Sequence, residues 1–118
     1  MEKSEEREKR LRKIQVHLTE AMREALPGEA DQYEIKYKPI TKYKSHTFFE
    51  GISHVRYDQS PAYGFFLVPK SEKGKAYSIM HLFRQDIDKR VADKNIRVEY
   101  QIPAFKENII EGVENLRK

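Results

Sequence analysis

The sequence contains no cysteine among its 118 residues. That absence excludes a disulfide framework and any metal site that depends on thiolate ligands. No apolar run approaches the roughly 20 residues that a membrane-spanning helix needs. Residues 1–7 contain both acidic and basic side chains and lack the apolar stretch of a secretory signal. We therefore expect a soluble cytoplasmic protein with no membrane partner.

Motifs for nucleophilic or metal-dependent catalysis are also missing. The chain has no G-x-S-x-G elbow, no P-loop, no dinucleotide fingerprint and no H-E-x-x-H motif. None of His17, His46, His54 and His81 has a second histidine four residues away. We therefore predict no catalytic residue, no metal ligand and no cofactor. One alternative stays open, in which His46 or His54 acts as acid or base in metal-independent cleavage of RNA or a nucleotide.

Charged residues make up 36% of the chain, against roughly 25% in an average globular domain. Hydrophobic residues still account for 38%, and seven tyrosines and six phenylalanines argue against simple disorder. The length suits one domain over residues 1–118 with a thin core. Its first ten residues have no apolar side chain except Met1, so we expect that end to project or fray.

The net charge of +4 is distributed unevenly. Residues 1–30 carry seven Lys or Arg and seven Glu, whereas residues 36–57 carry five Lys or Arg against Glu50 alone. On a predicted strand over residues 33–44, lysines occupy even positions and tyrosines occupy odd ones. Because side chains alternate between faces at roughly 3.3 Å per residue, one face would be cationic over about 30 Å. The basic residues of this segment are Lys36, Lys38, Lys42, Lys44 and Arg56.

The hydrophobic periodicity predicts the element order α-β-β-β-β-α-β-α. Apolar residues that repeat at three and four favour an N-terminal helix, which Pro27-Gly28 ends. Consecutive strands joined by short turns predict an α+β fold with an antiparallel sheet of about four to five strands and helices packed on one face. The predicted strands cover 33–44, 47–57, 62–68, 76–80 and 96–102, the turns lie at Ser45-His46 and 58–61, and the later helices cover 81–94 and 105–116.

Three further patterns have a functional and a simpler interpretation. The loop 70–75, in which Lys73 and Lys75 flank Gly74, can bind a phosphate or be a solvated hairpin tip. The lysine row can track phosphates or keep an edge strand from pairing with other chains. The apolar stripe of Leu11, Ile14 and Leu18 fits a core face, with a homodimer seam as the alternative; edge-strand pairing is a second route to a homodimer.

Three functions fit these features. The first is a small basic nucleic-acid-binding accessory protein of phage or mobile-element kind. The second is a protein-binding modulator or inhibitor of viral or mobile-element type that makes no contact with nucleic acid. The third is a small metal-independent enzyme that cleaves RNA or a nucleotide, although we expect no enzyme. Under the first interpretation the nucleic-acid-binding residues are Lys36, Lys38, Lys42, Lys44, Arg56, Lys73 and Lys75.

Overall fold

The computed structural model describes residues 3–49, 53–89 and 101–118, and within them the side chains of 5–42, 59–88 and 101–118. The fold is α+β, with an N-terminal helix, an antiparallel sheet and a C-terminal helix. Short 3-10 turns precede the first strand and the last helix. The elements are α1 (Lys3–Ala25), β1 (Tyr33–Phe49), β2 (Ser53–Pro69), β3 (Tyr77–Phe83), α2 (Arg84–Lys89) and α3 (Lys106–Leu116).

Three antiparallel strands form the described sheet, in the order β1-β2-β3. The register between β1 and β2 runs unbroken from Tyr33 opposite Pro69 to Phe49 opposite Ser53. β3 pairs only with residues 62–67 of β2. The remainder of the hairpin, residues 41–49 and 53–61, therefore extends past β3 as a two-stranded ribbon, called here the ribbon.

The predicted count of four to five strands is too high for the sheet that the structure describes. The predicted turns at Ser45-His46 and 58–61 are wrong, because both segments lie inside continuous strands. Pro61 pairs with β1 alone, because the pairing of β2 with β3 begins only at Ala62. A residue paired on one side makes fewer ladder hydrogen bonds, so proline is tolerated there. Pro39 lies on β1, which is an edge strand of the described sheet.

The C-terminal third of the chain is described in part. A strand is confirmed near the predicted 76–80, over Tyr77–Phe83, and α2 begins at Arg84. The predicted start of the helix at residue 81 is wrong, because residues 81–83 continue the pairing of β3 with β2. The rest of the predicted helix 81–94 and residues 96–100 of the predicted strand, including Ile96, Val98 and Tyr100, lie outside the described residues. Ile102, the last residue of that predicted strand, belongs instead to the 3-10 turn Ile102–Phe105.

The core lies between one face of the sheet and the helices. Tyr33 and Ile35 of β1 and Phe65 and Leu67 of β2 are buried there, as the alternating pattern predicted. The buried helix residues that pack with them include Leu11, Ile14, Leu18, Ile87, Ile109 and Val113, and Phe105 is partly buried against the same cluster.

The stripe on α1 belongs to this core. Leu11, Ile14 and Leu18 are fully buried within the chain itself. They are therefore not available as a seam between two copies, and the predicted homodimer seam on α1 is wrong. Pairing through an edge strand stays a prediction.

Polar contacts hold the N-terminal half of α1 in place. Arg7 donates two hydrogen bonds to the carboxylate of Asp88, at 2.8 and 2.7 Å, and this pairing raises the Arg7 pKa above its usual range. Arg10 donates to the backbone carbonyl of Ile87 at 2.6 Å, and the hydroxyl of Tyr37 donates to Glu8. These contacts attach α1 to both α2 and β1, so the helix is fixed on the core face of the sheet.

Candidate nucleic-acid interface

The sheet has a second face, called here the outer face, which carries the even-numbered residues of β1 and β2. Residues opposite each other on antiparallel strands project to the same side. Among the described residues, Ala62 is the one outer-face side chain of these two strands that is buried, and it does not belong to the core cluster between the sheet and the helices. The outer face comprises Lys36, Lys38, Ile40 and Lys42 of β1, Ala62, Gly64, Phe66 and Val68 of β2, and Ser78, His81 and Phe83 of β3.

Phe66 lies at the centre of this face. Its ring lies against Gly64, where a β-carbon would come within 2.7 Å of the ring atoms Cε2 and Cζ. The same position would place a β-carbon 3.2 Å from Cδ1 of Ile40. Glycine at position 64 therefore lets the phenylalanine ring lie close to the sheet surface, beside Ile40.

Lysines from two separate elements surround Phe66. Lys36 lies directly opposite Phe66 on β1, and Lys38 lies opposite Gly64. The Nζ atom of Lys38 is 5.2 Å from the centroid of the Phe66 ring, within the range of a cation–π contact. Lys75 approaches from the loop between β2 and β3. Three lysines thus line one pocket together with this aromatic ring.

These side chains line an open pocket of about 310 Å³, called here the Phe66 pocket. Phe66 and Val68 supply its apolar part, and the lysines supply its charge. A mainly apolar surface with a few charged groups is typical of sites that bind small aromatic ligands. The remaining lining residues are Tyr37, Gly74 and Ala76.

Carboxylates accompany two of the lysines. Lys36 is 3.2 Å from Glu34, and Lys75 is 2.7 Å from Glu72. All four side chains are 41–62% exposed, and exposed ion pairs of this kind contribute roughly 0–1 kcal/mol. The two ammonium groups can therefore leave their carboxylates and contact a phosphate at little cost in free energy.

His81 and Lys42 extend the outer face away from the pocket. His81 lies opposite Gly64 on β3, and its ring meets that of Phe83 edge-on, at 5.6 Å between centroids. Burial lowers the pKa of His81, and the charge of Lys42 lowers it further. Lys42 and a neutral imidazole therefore share this part of the surface.

The structure brings some of the predicted binding residues together and separates others. Lys36, Lys38 and Lys75 meet at the pocket, and Lys42 lies farther along the same face. Lys73 is exposed in the β2–β3 loop but does not line the pocket.

Two further predicted residues, Lys44 and Arg56, lie in the ribbon. Their strand positions share the phase of the outer face, with Lys44 opposite Asp58 and Arg56 opposite His46. Their side chains lie outside the described residues.

The two histidines of the enzymatic alternative also lie in the ribbon. His46 pairs with Arg56, whereas His54 pairs with Phe48, so the two are not directly opposite each other. Their side chains lie outside the described residues. Within residues 5–42, 59–88 and 101–118, no group of three or more His, Asp or Glu side chains is placed to hold a metal ion.

Sequence reasoning missed the role of Phe66. The aromatic residues of segment 62–68 indicate a strand of the buried type, and that interpretation left no reason to place Phe66 in a binding site. A signal was present, since Phe65 and Phe66 are adjacent and a strand must direct one of them away from the core. Phe65 is fully buried, and Phe66 is the half-buried residue of the outer face.

No protein-family model, curated protein or solved structure matches this chain. In the three ranges that the structure describes, no helix combines the length and the apolar character needed to cross a bilayer. An interpretation of function therefore depends on the geometry and charge of the outer face.

Proposed function

We propose that this chain is a cytoplasmic accessory protein that binds nucleic acid through the outer face of its sheet. The observation that carries the proposal is the meeting of Lys36, Lys38 and Lys75 around the ring of Phe66. Lysines neutralise phosphates, and aromatic rings on a sheet stack on bases. The core-forming helices, in the part of the chain that the structure describes, pack on the opposite face.

The edge-protection interpretation explains less of this arrangement. Lysines that only keep β1 from pairing with another chain need to lie on β1 alone. Lys75 comes from a different element and yet lines the same pocket as Lys36 and Lys38. A convergence of charge from two elements is what an anionic ligand requires.

The proposed contact surface also reaches beyond the pocket. Lys42 continues the row along β1, and Lys44 and Arg56 occupy positions of the same phase in the ribbon. Lys73 lies in the loop that contributes Lys75. We assign these residues to phosphate contacts outside the pocket, which would hold a longer segment of nucleic acid along the hairpin.

The proposal is tested by measuring the affinity for labelled single- and double-stranded DNA and RNA across a salt series. Each phosphate contact on a single strand contributes about −0.7 to the slope of log affinity against log salt. If Lys36, Lys38, Lys42 and Lys75 each make a contact, the slope is about −3. Replacing Lys36 and Lys38 together by glutamine should flatten it by about 1.4 and weaken all sequences alike.

A matched control removes two lysines from another surface. Lys9 and Lys13 are exposed on α1, which packs on the core face of the sheet. The Lys9→Gln/Lys13→Gln variant has the same net charge as the outer-face variant but should nearly retain the wild-type slope. Equal losses of affinity in both variants would show that binding responds to the net charge alone. Wild-type protein that binds no nucleic acid at about 50 mM salt would refute the proposal.

A protein partner is the second candidate function. It is favoured by the half-buried apolar side chains of Ile40, Phe66, Val68 and Phe83 on the outer face. Apolar surface rimmed by charge also occurs where proteins bind proteins. This candidate predicts no salt-dependent binding to nucleic acid, together with loss of a specific partner on changing Phe66 to Ser.

A further inference from the structure

We infer that the ligand of the outer face is single-stranded nucleic acid, with one base stacked on Phe66 and its flanking phosphates held by Lys36, Lys38 and Lys75. This inference rests on the proposed function, because it names the kind of nucleic acid that the same surface binds. It rests on three features of the Phe66 pocket: the accessible ring, its fixed position, and the lysines that line the pocket from two elements.

One face of the Phe66 ring is accessible from solvent. Lys38 is an exposed residue, and its Nζ atom lies over the ring at 5.2 Å from the centroid. A face that an exposed ammonium group reaches is open to other partners of the ring. A base that stacks there would displace the ammonium group, which is then free to contact the adjoining phosphate.

The ring is also held in position before any ligand binds. It lies against Gly64, with Cδ1 of Ile40 beside it. Its β2 neighbour on the same face, Val68, forms part of the same pocket. A platform already held in its binding orientation loses little side-chain entropy when a ligand stacks on it.

Lysines line the pocket from two different elements. Lys36 and Lys38 lie on β1, whereas Lys75 lies in the loop between β2 and β3. A strand that crosses the sheet from β1 towards this loop would place one base over Phe66 and a phosphate near each group of lysines. The pocket volume of about 310 Å³ is at the lower end of the roughly 300–1,000 Å³ typical of ligand sites, so it suits one base rather than a duplex.

A duplex would not use the ring. Its bases are paired and stacked on one another, so a flat aromatic surface on a sheet meets only sugars and phosphates. Bases of a single strand are free to stack on aromatic side chains, and this kind of stacking tolerates any base sequence. The position of Phe66 among the lysines therefore favours a single strand.

The absence of tryptophan from the chain provides a direct measurement. The Phe66→Trp variant carries one tryptophan, at the proposed stacking position, and a stacked base quenches indole fluorescence. We expect quenching on titration with an oligodeoxythymidine of about 12 nucleotides, a length within known single-strand site sizes. A duplex of equal length should leave the emission nearly unchanged. Oligouridine in a parallel titration distinguishes an RNA ligand from DNA.

Affinity measurements on two further variants complete the test. Phe66→Leu removes the stacking ring without changing the charge, so it should weaken single-strand binding about tenfold while the salt slope stays unchanged. Phe66→Tyr retains a ring and should bind like the wild type. If Phe66→Leu fails to fold, the fluorescence titration of Phe66→Trp decides the question on its own.

The outcomes separate this inference from the proposed function. Salt-dependent binding with equal affinity for single strand and duplex, and with no quenching of Phe66→Trp, would overturn the inference and leave nucleic-acid binding intact. The absence of any salt-dependent binding would overturn both. Quenching by the single strand alone, with weaker binding by Phe66→Leu, is the result that supports the inference.

Discussion

The ring of Phe66 lies so close to Gly64 that a β-carbon on Gly64 would come within 2.7 Å of two of its atoms. The absence of a side chain at position 64 therefore determines where the ring lies on the outer face. Lys38 lies directly opposite Gly64 on β1, and its ammonium group is the one that contacts the ring of Phe66. The geometry of the proposed platform thus depends on a residue that itself has no group to contact a ligand.

The first prediction is that Gly64→Ala weakens single-strand binding by displacing the ring of Phe66. The fold should persist, because the β-carbon would meet the far end of the Phe66 side chain rather than backbone. We expect a loss of affinity comparable to that of Phe66→Leu, measured by fluorescence anisotropy. The control is the double variant Gly64→Ala/Phe66→Leu, which should bind like Phe66→Leu alone because both changes act through one ring. Additive losses would contradict this mechanism.

The second prediction concerns His81 and pH. The pKa of His81 is lowered from its usual 6.5, first by burial and then by Lys42, so the fold favours the neutral imidazole. Its contribution to stability is present above pH 6.5 and is lost as the pH falls through the lowered pKa. Thermal unfolding of the wild type should therefore show a loss of stability in this acidic range that His81→Gln does not show.

Bound phosphates should reverse this preference. A polyanion on the outer face favours the imidazolium form and raises the pKa of His81. Affinity should accordingly increase as the pH falls below 6.5, the ordinary value from which the fold lowers the pKa of His81. Binding by His81→Gln should lack this dependence, whereas His17→Gln, on α1, should retain it. A pH profile unchanged by His81→Gln would place the phosphates elsewhere.

The third prediction concerns Tyr37 and Glu8, which join β1 to α1. Burial, and then the hydrogen bond to Glu8, raise the pKa of Tyr37 from 10.0 to about 12. A raised pKa means a contribution to stability that is present below pH 10 and is lost as the pH rises towards about 12. Tyr37→Phe should lower the free energy of unfolding by about 0.5–1.5 kcal/mol at neutral pH. The difference between wild type and variant should shrink in alkaline solution.

An ultraviolet titration checks the same assignment. The chain has seven tyrosines, and the phenolate absorbance missing from Tyr37→Phe should be the component of the wild-type curve that titrates near pH 12. If the absorbance that Tyr37→Phe loses titrates near the usual tyrosine pKa instead, the hydroxyl of Tyr37 is not held by Glu8.

Alternation along the strands was enough to predict the two faces of the sheet. Lys36 and Lys38 fall on one side, and Tyr33 and Ile35 are buried on the other, because a continuous strand preserves the phase of its side chains. The turn predicted over residues 58–61 failed because Pro61 and its neighbours favour turns only locally. Seventeen paired positions along β1 and β2 outweigh that local preference.

The candidate site was predictable only in part. The lysines of β1 follow from the sequence pattern, but the approach of Lys75 depends on the path of the loop between β2 and β3. The exposure of Phe66 depends on which face of the sheet the helices cover, which is a property of tertiary packing. The path of the loop and the choice of the covered face are not encoded in the periodicity of the sequence, so they could not be derived from residue spacing alone.

The last prediction concerns Gly112, a buried residue of α3. The structure gives a reason for glycine there, because α3 approaches the sheet closely at this residue. A β-carbon would lie 2.7 Å from Cδ2 of Tyr77 and 3.1 Å from Cδ2 of Leu67. Leu67 is fully buried, so it has little room to move.

Two effects oppose each other in Gly112→Ala. Alanine favours the helix by about 1 kcal/mol relative to glycine, whereas overpacking a core usually destabilises by about 1–3 kcal/mol. Because the closest contact is with a ring atom near the attachment point of the Tyr77 side chain, we expect overpacking to prevail and the melting temperature to fall. Glu114→Ala, an exposed change on the same helix, should alter stability by less than about 0.5 kcal/mol. A rise in melting temperature for Gly112→Ala would show that α3 can shift away from the sheet.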